Sequence, residues 1–102
     1  MSKVYDCTKN FEESLCKYTG APYAVAIDNC SNALFLCLEY EKIEGKSITI
    51  PSRTYPSVPC AIIHAKGKVN FSSIEGEYIE GAYQLAPTKV WDSALLFTHN
   101  MY

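Results

Sequence analysis

The stretch that most constrains the fold of this chain is YAVAIDNCSNALFLCL, which runs from Tyr23 to Leu38. Residues 23–27 are apolar and typical of a buried strand, the polar bend 28–32 follows, and an apolar segment with helical spacing then begins. A helix that starts directly after a strand leaves its first N–H groups unpaired, with the positive end of the helix dipole beside them. The stretch therefore predicts a strand, a turn and a helix, with a site for phosphate or another anion at the turn.

Length and charge exclude several classes of protein. The 102 residues fit one small domain, and the formal net charge of −2 gives no reason to expect nucleic acid or an acidic membrane as a partner. The apolar runs are much shorter than the roughly 18–20 residues that span a bilayer. The opening residues MSKVYDCTKN lack the apolar core of a signal peptide. We expect a single domain, residues 1–102, in the cytoplasm, with neither nucleic acid nor membrane as its partner.

Helical and strand-like segments alternate along the chain. The spacing of Phe11, Leu15 and Tyr18 predicts a first helix that stops at Gly20. Such alternation is typical of an α/β fold in which helices cover both faces of a parallel sheet, so we expect three layers and a mainly parallel sheet. The other predicted elements are, in chain order, a strand at Tyr23–Asp28, a helix at Ser31–Glu41 that Ser31 caps and that buries Leu34, Leu38 and Ile43, a strand at Ser47–Ile50, a short helix before Gly67, and strands at Lys68–Phe71 and Thr88–Trp91.

Polar residues follow three of the predicted strands. Asn29–Ser31 comes after the first strand, Ser52–Tyr55 after the second, and Asp92 after the last. In parallel sheets ligands bind at the carboxyl ends of the strands. We therefore expect these three segments to converge on one site.

The five cysteines are Cys7, Cys16, Cys30, Cys37 and Cys60, and no pair has the CxxC spacing of a zinc or redox site. Cys16 and Cys37 fall on apolar faces of predicted helices, so the main expectation is buried, reduced thiols and no metal site. Cys30 differs, because a thiol at a helix N-terminus can have a lowered pKa and react as a nucleophile.

The chain contains, in this order, the segments FEESLCKYTGAPYAVAIDNCSNALFLCL, ITIPSRTYPSVPCAIIHAKGKVNF and KVWDSA. Together they resemble the N-terminal part of the DegT-type (DegT/DnrJ/EryC1/StrS) sugar aminotransferases, which are pyridoxal-phosphate enzymes with the aspartate aminotransferase fold. That family carries a Ser-Gly-Thr phosphate turn, a V-P-S-x-T-[FYW] segment and an E-D-x-A block. The chain departs from the pattern at Asn29-Cys30-Ser31, which replaces Ser-Gly-Thr, and at Leu95, where Gln or His is usual.

The resemblance implies a role for five residues in binding pyridoxal phosphate. Ser31 and the N–H groups of Cys30 and Ser31 would hold the phosphate, Tyr55 would stack on the ring, and Ala94 would pack on its other face. Asp92 would pair with the pyridine nitrogen, which makes the ring a stronger electron sink. Each also has a purely structural interpretation: Ser31 as an N-cap, Tyr55 as a core aromatic and Asp92 as a turn former. For Arg53, the one arginine, a surface charge and a substrate or interface role stay open.

In the family, a lysine some tens of residues beyond the aspartate binds the cofactor covalently and moves the proton. The last lysine of this chain is Lys89, ahead of Asp92. We therefore expect a fragment or truncated form of a larger enzyme, carrying part of the large domain and not competent alone. The family's active site is shared between two subunits, which implies a homodimer. The alternatives are a non-catalytic α/β interaction module descended from the family, and an unrelated small enzyme that uses Cys30.

Overall fold

The computed structural model describes residues 5–72, 78–79 and 81–102, and the chain divides into two units. The first unit combines Met1–Ile27 with Phe97–Tyr102, and the second is Asp28–Leu96. Within the described ranges, no helix is long and apolar enough to cross a lipid bilayer. The expectation of one domain over the whole chain stays a prediction.

The first unit is built on helix α1, Asp6–Thr19. The helix ends as predicted at Gly20, which adopts the left-handed conformation (φ 85°) and donates its N–H to the carbonyl of Cys16 at 2.9 Å. Glycine suits this position because it has no Cβ to clash in that conformation. The end of the chain lies along the last turn of α1, where the Tyr18 ring stacks on Phe97 with centroids 5.0 Å apart.

The predicted strand at Tyr23–Asp28 is wrong. Its residues form no regular secondary structure, and Tyr23 and Val25 expose 86% and 76% of their surfaces. A strand is stabilised by the backbone ladder to a neighbouring strand, and none of the strands in the described ranges pairs with this segment. One backbone donor of the segment is bonded to a side chain instead: the N–H of Ala26 donates to Glu12 Oε2 at 2.8 Å.

The second unit begins with alternating helices and strands. Strands β1 and β2 pair in parallel, in a register that places Ser47 opposite Lys68 and Pro51 opposite Ser72. The predicted α/β character with a parallel pair of strands is therefore confirmed. In chain order the elements are α2 (Cys30–Tyr40), β1 (Ser47–Pro51), α3 (Ser57–His64), β2 (Lys68–Ser72), β3 (Tyr78–Ile79), β4 (Ala82–Gln84) and β5 (Trp91–Asp92).

The second sheet, with strand order β3-β4-β5, is antiparallel throughout. The expectation of a mainly parallel sheet is therefore wrong for this unit, where parallel pairing is confined to β1 and β2. The predicted strand Thr88–Trp91 is also displaced, because β5 comprises Trp91 and Asp92. Residues 85–90 alone connect β4 to β5, and a parallel crossover needs about a dozen residues or more, so this connection can only make a hairpin.

The hydrophobic core of the second unit lies where α2 and α3 pack on β1. Leu38, Ile48, Ile50 and Ile62 are fully buried, and each such aliphatic side chain contributes about 1.5–3 kcal/mol relative to exposure. The predicted inner stripe of α2 is confirmed. The remaining buried members of the core are Leu34, Ile43, Val58, Ala61, Ala65, Leu85 and Val90.

Gly81 and Gly45 provide a test of how tightly the end of the second unit packs. Both have positive φ, but a Cβ on Gly81 would lie 2.9 Å from the backbone of Leu95, whereas a Cβ on Gly45 would meet nothing within 4 Å. We expect Gly45→Ala to lower the free energy of unfolding by about 1 kcal/mol, the cost of the left-handed backbone. Gly81→Ala should cost about 1–3 kcal/mol more, because it adds a steric clash. Urea denaturation of both variants measures the difference, and equal losses would contradict the packing of Leu95 on Gly81.

Candidate functional site

The turn that precedes α2 is closed by its own side chains. Asn29 has an extended backbone (φ −159°), and its Oδ1 accepts the N–H of Asn32 at 2.8 Å, so Asn29 is the N-cap. The prediction that Ser31 caps the helix is wrong by two positions, since Ser31 already lies in the first turn. The Asp28 carboxylate accepts two contacts from Nδ2 of Asn32, at 2.9 and 3.2 Å. An anion at this turn would therefore have to use the N–H groups of Cys30 and Ser31.

Asp92 lies on β5 directly opposite Tyr83 on β4, so the two side chains share one face of the antiparallel sheet. The Tyr83 hydroxyl donates to Asp92 Oδ2 at 3.1 Å. Asp92 exposes 8% of its surface, and a buried carboxylate requires such donors because it has lost water. The sequence placed Asp92 just beyond a parallel strand, and the structure instead places it within a short antiparallel one.

Thr54 extends this network from the loop after β1. Its Oγ1 lies 2.5 Å from the Tyr83 Oη, a distance at which either hydroxyl could donate. The phenol has one proton and gives it to Asp92, so Thr54 must be the donor to Tyr83. The hydrogen-bonded sequence therefore runs from Thr54 through Tyr83 to Asp92.

Cys30 approaches the same carboxylate from the start of α2. Its Sγ is 4.0 Å from Asp92 Oδ1, at the long limit for a thiol donor. Cys30 is exposed as a residue, but the partial burial of its thiol, followed by the negative charges of Asp92 and Cys37, raises the pKa of Cys30 above its usual value. The structure thus opposes a nucleophilic role, because the reactive thiolate is disfavoured at the position where the sequence allowed a lowered pKa.

The pKa of Tyr83 is raised from 10.0 to about 12. Burial is the largest cause, and the charge of Asp92 with its hydrogen bond acts in the same direction, while the bond from Thr54 acts against it. Burial and the charge of Asp92 both penalise the phenolate, and together they outweigh the bond from Thr54. Tyr83 is therefore a neutral donor to Asp92 throughout the physiological pH range.

The three expected segments lie close together, but not all of the predicted side chains take part in the contacts. Cys30, the loop containing Thr54, and Asp92 meet as predicted, and Ser31 is half-buried beside Cys30. Tyr55 exposes 77% of its surface and Ala94 is exposed, so the interpretation of Tyr55 as a core aromatic is wrong. Arg53 is exposed as well.

The remaining cysteines do not add to this site. All five are free; Cys16 is half-buried, while Cys7, Cys30, Cys37 and Cys60 are exposed, so the expectation of buried thiols is wrong. The apolar face of α2 that is buried consists of Leu34 and Leu38, which leaves Cys37 turned outward. Among the residues that the structure describes, no group of three His, Cys, Asp or Glu side chains could hold a metal ion.

Sequence reasoning missed Tyr83, and it named Thr54 only as part of a loop. A signal for Tyr83 exists in LAPTK, which separates two short apolar segments and could have predicted a hairpin. In the structure, Leu85 donates to the carbonyl of Val90 at 2.9 Å, and the Thr88 hydroxyl donates to the carbonyl of Leu85 at 2.6 Å. This closed turn sets the register that faces Tyr83 toward Asp92.

The sequence model of the DegT/DnrJ/EryC1/StrS aminotransferase family matches residues 1–90. The chain belongs to this family. It is 30% identical over 83 residues to the Spore coat polysaccharide biosynthesis protein SpsC of Bacillus subtilis (strain 168), a match that covers 80% of this chain and 20% of that relative. The chain thus corresponds to about a fifth of the curated relative's length. No solved structure matches it.

The range matched to the DegT family includes Cys30, Ser31 and Tyr55 but ends two positions before Asp92. Any role for Asp92 has to be argued from geometry rather than from the family match. The relevant observation is the 4.0 Å approach of its Oδ1 to Sγ of Cys30, in the first turn of α2.

The raised pKa of Tyr83 predicts a loss of stability at alkaline pH. The unfolded chain releases this proton near pH 10 and the folded chain near pH 12, so the stabilisation is complete below pH 10 and is lost as the pH rises through 12. We expect the free energy of unfolding, measured by urea denaturation, to fall less between pH 10 and 12 for Tyr83→Phe than for the unaltered chain. Tyr40→Phe, which removes an exposed hydroxyl from α2, is the matched control and should follow the unaltered chain. Parallel curves for the unaltered chain and Tyr83→Phe would contradict the assignment.

Proposed function

We propose that this chain supplies part of the pyridoxal-phosphate site of an aminotransferase that acts on a keto group of a sugar or nucleotide sugar. The observation that carries the proposal is the position of Asp92. Its carboxylate, 8% exposed, lies 4.0 Å from Cys30 in the first turn of α2. The contact places an acceptor for a cationic nitrogen in the same part of the unit as the first turn of α2, whose backbone N–H groups can bind a phosphate.

The residues present fit such a cofactor. The N–H groups of Cys30 and Ser31 would bind the phosphate, and Asp92 would pair with the ring nitrogen. Tyr55 and Ala94 are exposed, which leaves both side chains available for the two faces of the ring. When bound, pyridoxal phosphate supplies an electron sink for carbanion chemistry. Asp28 opposes the phosphate, because its carboxylate is close to the start of α2 and carries the same sign of charge.

The family and the relative support a sugar as the substrate. SpsC is a polysaccharide biosynthesis protein, and the family is named as an aminotransferase family. In the proposed whole enzyme, the two units described here belong to a three-layer, mainly parallel domain of the aspartate aminotransferase type.

We also propose that these residues are not catalytically competent by themselves. No lysine follows Asp92 in the sequence, and transamination needs an amine that binds the cofactor and transfers the proton. Lys89 lies at the turn before β5, and its backbone N–H bonds to Glu41 Oε1 at 3.2 Å. What the chain itself does in the reaction is bind phosphate and hold the charge of the ring nitrogen.

Weak, non-covalent binding is the expected result of titrating the purified chain with pyridoxal phosphate. Asp92→Ala should weaken binding at least tenfold, because it removes a charge-assisted contact of about 1.5–3 kcal/mol. Tyr55→Ala should weaken it less, and Ser31→Asp should abolish it by adding a like charge at the phosphate turn. Equilibrium dialysis measures the affinities, and absorbance spectra report any Schiff base.

Lys89→Ala and Ser31→Asn are the matched controls. Lys89→Ala should leave affinity unchanged, and Ser31→Asn keeps the size of the aspartate without its charge, so it should bind more tightly than Ser31→Asp. A stable Schiff-base absorbance band that disappears in Lys89→Ala, or transamination by this chain alone, would contradict the proposal that the reactive lysine is not among these residues.

The second candidate function is a non-catalytic interaction module that assembles with a second copy. The exposed side chains of Tyr23 and Val25 favour it, because neighbouring apolar side chains in solvent mark interaction surfaces. We expect a dimer by light scattering, and a monomer for Val25→Asp. Ser14→Asp adds the same charge to an exposed position of α1 and should leave the dimer intact. A monomer at high concentration of the unaltered chain would contradict this candidate.

A further inference from the structure

Two hydroxyl groups of the site have no part in the function proposed so far. Tyr83 is hydrogen-bonded to Asp92 directly, and Thr54 is linked to Asp92 through Tyr83. Neither belongs to the five residues to which the family resemblance assigns a role. Both are half-buried, so their hydrogen bonds are partly shielded from competing water. Each hydroxyl donates to one acceptor, Thr54 to Tyr83 and Tyr83 to Asp92.

The two oxygens of Asp92 have different surroundings. Oδ2 accepts the proton of Tyr83 at 3.1 Å, whereas Oδ1 faces the thiol of Cys30 at 4.0 Å, a distance at which a hydrogen bond is weak. Oδ1 therefore keeps most of its capacity to accept. It is therefore the oxygen of Asp92 that Tyr83 leaves uncommitted.

We propose that Thr54 and Tyr83 are positioning residues that fix the Asp92 carboxylate through Oδ2 and leave Oδ1 as the acceptor for a protonated ring nitrogen. This inference deepens the proposed function and rests on it. The ligand class is a nitrogen heterocycle that carries a phosphate and is protonated when bound.

The carboxylate needs positioning because the energy of an aspartate side chain changes little as its χ2 torsion rotates. Rotation about χ2 of an aspartate is broad, so a carboxylate with no fixed donor samples many orientations. A hydrogen bond on Oδ2 fixes its plane, and a preorganised acceptor binds more tightly because the ligand need not order it. Thr54 contributes by occupying a lone pair of the Tyr83 oxygen, which directs the phenol proton to Asp92.

The test uses the whole 102-residue chain and pyridoxine 5′-phosphate, which has the ring and phosphate but no aldehyde to react with surface lysines. Calorimetric titration should show Tyr83→Phe and Thr54→Val each weakening binding by roughly 3- to 10-fold, the usual effect of one hydrogen bond. Thr54→Ser keeps the hydroxyl and should restore affinity, and the exposed Tyr40→Phe should not change it. In an Asp92→Asn background, Tyr83→Phe should have no further effect. Additive losses in that double variant would overturn the inference.

A second measurement separates failure of the inference from failure of the proposed function. The ionisation of Tyr83 is followed by nuclear magnetic resonance of ¹³Cζ-labelled tyrosine in the ligand-free chain, with Tyr83→Phe assigning the signal. Asp92→Asn should lower the Tyr83 midpoint by removing the charge that the phenol faces, and Thr54→Val should raise it. An unchanged midpoint in Asp92→Asn would overturn the positioning role. Absence of pyridoxine phosphate binding to the unaltered chain, with the midpoint shifted as expected, would overturn the proposed function and leave the Thr54–Tyr83–Asp92 contacts established.

Discussion

Strand β1 carries backbone hydrogen bonds on both of its edges, and the second unit is organised around it. One edge pairs with β2 over Ser47–Pro51, while on the other Thr49 both donates to and accepts from Ala86, at 2.8 and 3.1 Å. Ile48 and Ile50 are fully buried in the core that α2 and α3 cover. Because Ala86 lies in the turn between β4 and β5, this contact also ties the antiparallel hairpin to the parallel pair. The place of Asp92 therefore depends on β1, which does not touch it.

The site shows how a buried carboxylate is accommodated in a small unit. Ionised carboxylates lose much solvation on burial, so they require donors that the chain itself provides. Asp92 obtains one from Tyr83, and the same burial keeps that phenol protonated, with a pKa of about 12. The charge of Asp92 also helps to raise the pKa of Cys30. Burial first, and the charge of Asp92 in addition, thus disfavour the ionised forms of Tyr83 and Cys30, which suits binding of a cation at Asp92 and opposes thiolate chemistry.

Local patterns predicted those parts of the fold that depend on local physics. The helix that ends at Gly20, the stripe of Leu34, Leu38 and Ile43, and the parallel strands at β1 and β2 follow from helical periodicity, a left-handed C-terminal glycine and β-branched residues. The prediction of a strand at Tyr23–Ile27 was wrong, because a strand is stable only when it pairs with another strand, and a local sequence pattern does not show whether such a strand is present. The predicted direction of β5 was wrong because the strand was assumed to pair in parallel, whereas the short turn at residues 85–90 allows only a hairpin.

For the site, the sequence by itself determined the chemistry: a hydroxyl and a thiol at a helix start, an aromatic after β1, and a carboxylate near the end of the chain. Family membership follows from the order of these segments. Tertiary structure decided which groups meet. It brought Thr54 and Tyr83 to Asp92, left Tyr55 in solvent and raised the pKa of the Cys30 thiol. The physical reason is that hydrogen bonds act over about 3 Å, and contacts between residues as distant in sequence as Cys30 and Asp92 exist only after the core and the hairpin have fixed their positions.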